Sequence, residues 1–387
     1  MKRILLGLGA VLVVAIIAAL AALPGFVEGQ INRMVDVGPL EASEEAARHH
    51  ARLNVVDLHA DTLLWARDPL ERANRGHVDL PRLVDGNVTL QVFSVVTKVP
   101  RSQRHTGTDA NSDVLTLLAM AQRWPARTWD NLFERALYQA EKLHRAESAA
   151  PGELRVIRTA ADIDALLAAR ERSRPVGGLL ATEGSHPLEG KLENIERLYD
   201  AGYRMMGLQH FFDNELGGSL HGLSSGGLTE FGRQAVREME RLGIIVDVAH
   251  SSHAVVEDVL EIATRPVVIS HTGIKGACDS PRNIDDALMK RVAEAGGLIG
   301  MGYWKSAICD PAPEGVVRAI RYAIDELGVD HVALGSDYDG AVPVAFDTSE
   351  LALLTGAMRD ADFTEEEIEK VMGGNALRLF RELLPKE

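Results

Sequence analysis

Eight short apolar or β-branched runs punctuate the chain, at 54–58, 89–96, 176–181, 203–208, 244–249, 267–270, 298–302 and 331–335. Amphipathic stretches lie between them, at 195–201, 229–242, 254–263, 284–295 and 316–327. Strands alternating with helices predict an α/β fold with a parallel sheet, and eight such units predict closure into a (β/α)8 barrel. The gap between 96 and 176 is too long for one connection, so a helical insertion is expected between the second and third strands. No repeat, low-complexity tract or long linker interrupts the chain after residue 51.

The N-terminus breaks this pattern. Lys2 and Arg3 precede an unbroken apolar run at 4–23. Twenty such residues span about 30 Å as a helix, enough to cross a bilayer. A cleaved signal peptide, with small residues at Ala19 and Ala21, competes with an uncleaved anchor. The run exceeds the roughly 7–15 residues of a signal core, which favours the anchor. Either way the basic flank stays on the cytoplasmic side and the rest is exported, facing the periplasm or extracellular space. Residues 1–30 are therefore read as anchor or signal segment plus tether. Residues 31–387 are read as a single barrel domain.

Composition adds little to the fold and more to the partners. Hydrophobic residues are 46% and charged residues 25%, which excludes a disordered or fibrous chain. Lys plus Arg total 41 against 56 Asp plus Glu, a net charge of −15. There is no basic stretch, so nucleic acid is excluded as a partner. Two cysteines exclude a disulfide-rich scaffold and a four-thiolate zinc site, but allow one disulfide.

A barrel places its chemistry at the C-terminal ends of its strands. The first run, V-V-D-L-H-A-D, ends in His59 and Asp61, which share a face two residues apart. The third ends at Glu183, the fourth at His210, the fifth at His250 and the sixth at His271. The eighth, V-A-L-G-S-D-Y-D-G, carries Asp337 and then Asp339. Any one of these reads as a hydrogen-bonded or turn residue. Together, four of the 13 histidines and carboxylates at three strand ends fall on one rim. Such a ring is a metal site, and its ligand count suits two ions better than one. Two zinc ions about 3.5–4 Å apart need a shared carboxylate and a bridging water acidic enough to attack at neutral pH.

These residues resemble the membrane (renal-type) dipeptidases of the amidohydrolase superfamily. The resemblance runs from about Asn54 to Phe380 and rests on D-L-H-A-D (57–61), E-G-S-H (183–186), G-L-T-E-F-G (227–232), D-V-A-H-S-S (247–252), I-S-H-T (269–272), S-P-R-N (280–283), G-S-D-Y-D-G (335–340) and G-G-N-A-L-R-L-F (373–380). It implies a metal-dependent hydrolase of the TIM-barrel type holding two zinc ions. His59 and Asp61 would bind the first, His250 and His271 the second. Glu183 and a water or hydroxide would bridge them. It further implies that His210 contacts substrate and steadies the tetrahedral intermediate. Arg282 would grip the substrate's C-terminal carboxylate, a task suited to a guanidinium fork. Asp337 would shuttle a proton from the attacking water to the leaving amine. Asp339 is read as a turn residue, His221 and His253 as loop and helix residues, and His49 and His50 as surface. His186 and Tyr303 lie near the rim without an assigned role.

The activity implied is hydrolysis of dipeptides. Hydrolysis of another amide or lactam at the same metal pair is the alternative, and an inactive membrane-tethered peptide receptor is a third. Family members are often dimers, so a homodimer is implied as well. Cys278 follows the sixth run and Cys309 the seventh, so both fall in rim loops of neighbouring strands. In an exported chain they are expected to bond, a closure of 31 residues that stabilises by roughly 3–4 kcal/mol.

Overall fold

The computed structural model describes residues 22–101 and 106–387. Nine strands form one sheet: β1 (Val55–Ala60), β2 (Val88–Val96), β3 (Leu154–Val156), β4 (Val176–Glu183), β5 (Tyr203–Gly207), β6 (Ile245–Asp247), β7 (Val268–Thr272), β8 (Leu298–Met301) and β9 (Val332–Leu334). They pair in the order β2-β1-β9-β8-β7-β6-β5-β4-β3, all parallel. A further pairing of β2 with β4, from Leu90↔Gly177 to Val96↔Glu183, closes eight of them into a barrel. Each predicted run overlaps one barrel strand. β3 is the unforeseen ninth and pairs only with the first residues of β4, where β5 has not yet begun.

The barrel strands are buried along their lengths, as expected when helices cover a parallel sheet. One or two apolar side chains from every barrel strand fill the interior, among them Val56, Val92, Leu179, Met205 and Val268. The helix Asn375–Leu383 packs Leu377, Leu379 and Phe380 into the same cluster and closes one end. Between β2 and β4 lie the helices Leu115–Ala121, Leu132–Ala149 and Ala160–Arg170.

Two caps set how the chain leaves the rim. Thr229 accepts from Gly232 N and starts the helix Glu230–Leu242, which ends at Gly243 in the left-handed region. Ser252 accepts from Val255 N and starts the helix His253–Ile262 immediately after His250. Cys278 and Cys309 are bonded, with Cα atoms 5.5 Å apart, and tie the loop after β7 to the segment after β8.

The predicted membrane segment at 4–23 lies outside the described residues, save its last two. Among the described residues no helix is long and apolar enough to cross a membrane. Residues 22–31 are helical, and the stretch read as a tether is packed against the barrel rim. Glu28 is buried between Arg67 and Arg75. His49 and His50 are buried, not on the surface. His50 spans Thr355 Oγ1 and Gly86 O, both at 2.9 Å, so its polar atoms are satisfied inside the fold.

Candidate metal centre

β1 carries His59 as its penultimate residue, and Asp61 follows the strand; their Nε2 and Oδ1 atoms lie 3.5 Å apart. Glu183 is the last residue of β4. The chain turns away at Gly184, with φ +82°, where a Cβ would sit 2.8 Å from His186 Nδ1 and 3.0 Å from His210 N. Only glycine meets both conditions. His210 lies three residues beyond β5 and places Nε2 3.3 Å from Glu183 Oε2. His250, three residues beyond β6, has φ +60°; its Nε2 is 3.1 Å from Glu183 Oε1. His271 lies within β7 and reaches the same oxygen at 3.4 Å. Asp337, three residues beyond β9, also has a positive φ, +61°. Residues held in this sparsely populated region concentrate at functional sites.

Three overlapping donor triads result: His59 with Glu183 and His271, Glu183 with His210 and His250, and His59 with Asp61 and Asp337. Within each, the donor atoms lie within 4.8 Å of one another, and all are buried. Glu183 is common to two triads and His59 to two. Arg282 reaches the same place from the loop after β7, where its Nη2 donates to His271 O at 2.7 Å and lies 3.4 Å from His250 Nε2. Its guanidinium stands over the Trp304 ring. All eight residues singled out from the sequence are thus gathered at one end of the barrel.

Whether these groups fit a metal pair is tested by their unspent hydrogen-bonding capacity. Nε2 of His59 and Oδ1 of Asp61 are buried without a hydrogen-bond partner. Nε2 of His250 and of His271 face each other at 2.8 Å. Their second nitrogens are bonded outward. His271 Nδ1 meets Ser270 Oγ at 2.9 Å, and Ser270 Oγ donates to Asp247 Oδ2 at 2.6 Å. His250 Nδ1 meets His221 Nε2 at 2.8 Å. With Nδ1 donating outward, each Nε2 turns a lone pair inward, the arrangement of ligating imidazoles.

The charge balance points the same way. Burial, with Arg282 nearby, pushes the His250 imidazole well below its usual range and favours the neutral, ligating form. Burial and the neighbouring His59 do the same for His271. Burial and the Asp61 charge hold the Glu183 carboxyl well above the usual range. Burial likewise pushes Asp337 to about 8 against the pull of His59, with Asp61 adding to the rise. Burial would lower His59, but Asp61 and Glu183 outweigh it and raise it to about 10. Three carboxylates crowded in a dry site repel one another. A divalent cation among them removes that repulsion and restores ionised carboxylates beside neutral imidazoles. The residues fit the group.

Three supporting residues were not assigned this role from the sequence. His221 was read as a loop residue, and it lies in a loop, but it is fully buried against His250. Asp247 and Ser270 stand in the motifs D-V-A-H-S-S and I-S-H-T without an assigned role, although an acid or hydroxyl in a buried strand is itself a signal. Asp339 is fully buried, accepting from Thr62 Oγ1 at 2.9 Å and His77 N at 2.7 Å and pairing with Arg67. It fastens the β9 loop to the β1 loop. His253 is a half-exposed helix residue facing Asp285.

A family model described as membrane dipeptidase (peptidase family M19) matches residues 43–385. The dipeptidase tcpJ of Claviceps purpurea (strain 20.1) is 28% identical over 368 residues, covering 92% of this chain and 81% of the relative. Among solved structures, a metallo peptidase from Rhodobacter sphaeroides, liganded with a phosphinate mimic of the dipeptide L-Ala-D-Ala, superposes with TM-score 0.71 at 27% identity. That match covers 86% of this chain and 99% of the other. The probable dipeptidase PvdM from Pseudomonas aeruginosa gives TM-score 0.73 at 19% identity, covering 88% of this chain and 98% of that one, and supports the fold alone. With most of its length matched by the family model, the chain belongs to the membrane dipeptidase family, peptidase family M19.

Proposed function

We propose that this protein hydrolyses dipeptides with a pair of zinc ions held by His59, Asp61, Glu183, His250 and His271. The observation that carries the reading is the meeting, on one cavity, of the Glu183-centred donors with a buried guanidinium and a carboxyl of raised pKa. Imidazole and carboxylate donors suit zinc, and their number suits a binuclear site. When bound, the ions supply Lewis acidity and a water that ionises near neutral pH.

The chain's own groups do the rest. Arg282 offers its guanidinium to the substrate's terminal carboxylate, which fixes the peptide bond relative to the donors. His210, with Nδ1 3.2 Å from Lys98 O, is oriented so that Nε2 faces the reacting centre. Because Lys98 O can only accept, Nδ1 carries the proton of the neutral ring, and His210 acts on the oxyanion of the tetrahedral intermediate as the imidazolium, whose Nε2–H the developing negative charge favours. Asp337 accepts the proton of the attacking water and delivers it to the departing nitrogen. A substrate gripped at one end by Arg282 is measured in length, which favours dipeptides. The apolar run at 4–23 behind Lys2 and Arg3 supports export, and the Cys278–Cys309 bond fits an oxidising compartment.

The test is metal content together with dipeptide turnover, in the full chain and in His250→Ala. Two zinc ions per chain and turnover are expected, with both reduced in the variant. Fewer than one metal ion per wild-type chain and no turnover would overturn the proposal.

A further inference from the structure

Asp61, Glu183, His210, His250 and Asp337 line a cavity of about 1000 Å³, the upper end of the range for drug-sized ligands. Part of its wall comes from Val27, Ile31, Val35 and Val37. These residues precede the family match, which begins at residue 43. Val27 and Val37 are 37% and 38% exposed, which puts them at the mouth.

The segment is built in place. Glu28 is buried and paired with Arg67 and Arg75. Asn32 Oδ1 accepts from Ala341 N at 2.8 Å. Val35 N donates to Val344 O at 2.7 Å, and Val344 N donates to Arg33 O at 3.3 Å. Gly76, with φ +72°, clears the space for Arg67; a Cβ there would lie 2.4 Å from its guanidinium carbon. The strap is therefore fastened to the loops after β1 and β9. Beside it the cavity is lined by Leu64, Trp65, Val96, Val99 and Leu118, from the end of β2, the loops after β1 and β2 and the helix beyond, and Ile31 packs against this cluster.

Arg282 enters from the loop after β7, which is four strands from β2 around the closed barrel. A dipeptide whose carboxylate sits on Arg282 then directs its amino-terminal residue toward the β1 and β2 loops and the strap. We propose that residues 27–37 and the adjoining β1 and β2 loops form an apolar subsite for the side chain of the substrate's amino-terminal residue. It selects aliphatic or aromatic groups over glycine. The inference rests on the dipeptidase reading for its orientation.

The test uses two phosphinate dipeptide analogues, one with isobutyl and one with hydrogen at the amino-terminal side chain. Their Kd values are measured by calorimetry on zinc-supplemented full chain, beside turnover of Leu-Gly and Gly-Gly. An apolar pocket typically discriminates single groups by tenfold or more. Wild type should prefer the isobutyl analogue by about tenfold or more. Ile31→Ser with Val35→Ser should bring the two analogues near parity and leave the Kd of the glycine-type analogue in place. Val27→Ser with Val37→Ser, at exposed positions that do not threaten folding, should cut the preference by about threefold. No preference in wild type, or one unchanged in the folded variants, overturns the subsite. Failure of both analogues to bind wild type overturns it and the dipeptidase reading together. A preference that moves as stated, without turnover of either dipeptide, leaves the subsite standing and removes the dipeptidase reading alone.

Discussion

Replacing Arg67 with methionine keeps the unbranched stem and removes the charge that joins the strap to the β9 loop. In the native fold this guanidinium pairs with Glu28 and Asp339 and donates to Val78 O at 2.7 Å. Its side chain is 1% exposed, and those of Glu28 and Asp339 are 1% and 0% exposed. Glu28 retains Arg75 at 2.8 Å, but Asp339 retains only neutral donors, Thr62 Oγ1 and His77 N. Stripping one partner from a buried pair costs about 3–5 kcal/mol, because the other charge stays buried. At roughly 2.1 cal/mol/K per residue, a chain of 387 residues has an unfolding entropy of about 0.8 kcal/mol/K. The expected fall in Tm is therefore about 4–6 °C for a two-state melt followed by circular dichroism. Burial alone would raise the Asp339 carboxyl, but Arg67 and His77 outweigh it and hold it below the usual range. A depressed folded pKa gives stability that is present above the unfolded pKa and lost as pH falls through the folded one. The gap between wild type and variant should thus be widest near neutral pH and narrow as pH falls through the carboxylate range. Adding Asp339→Asn removes the orphaned charge and should recover at least half of the loss. A single variant melting within about 1 °C of wild type, or a double variant no more stable than the single, would refute the reasoning.

Asp337→Asn should lower kcat by roughly 10²–10⁴-fold with zinc content unchanged, read by steady-state kinetics and metal analysis; loss of metal with activity would recast it as a ligand. Arg282→Lys keeps the charge but loses the fork, so KM for dipeptides should rise by about an order of magnitude while kcat falls less. Cys278→Ser with Cys309→Ser opens a 31-residue loop and should cost roughly 3–4 kcal/mol, seen as a Tm about 4–5 °C lower under oxidising conditions and equal to reduced wild type.

The barrel was legible because strands covered on both faces read as uninterrupted apolar runs. β3 was not, since a three-residue strand with Arg155 exposed at its centre carries no such run. His59, Glu183 and His271 could be placed from local sequence, because a polar residue ending a buried strand has one rim to face. His221 could not. It lies in the long connection between β5 and the helix Glu230–Leu242, and only tertiary folding turns it onto His250. His50 failed for a similar reason, since its partners Gly86 and Thr355 are 36 and 305 residues away. The strap misled through its composition. Glu28 has the look of solvated tether until Arg67 and Arg75, 39 and 47 residues downstream, fold over it.

A net charge of −15 opposes the approach of a substrate that ends in a carboxylate. The site resolves this locally. Its carboxylates Asp61, Glu183 and Asp337 are placed where they repel one another in the absence of cations, which is why burial and mutual repulsion raise Glu183 and Asp337 together. Under the proposed function, two divalent ions with the Arg282 guanidinium would outweigh those three charges and leave the cavity floor positive, inside low-dielectric walls that strengthen its field. Metal binding and substrate orientation are in this sense one electrostatic arrangement, and Arg282→Lys should weaken substrate affinity even where every ligand is intact.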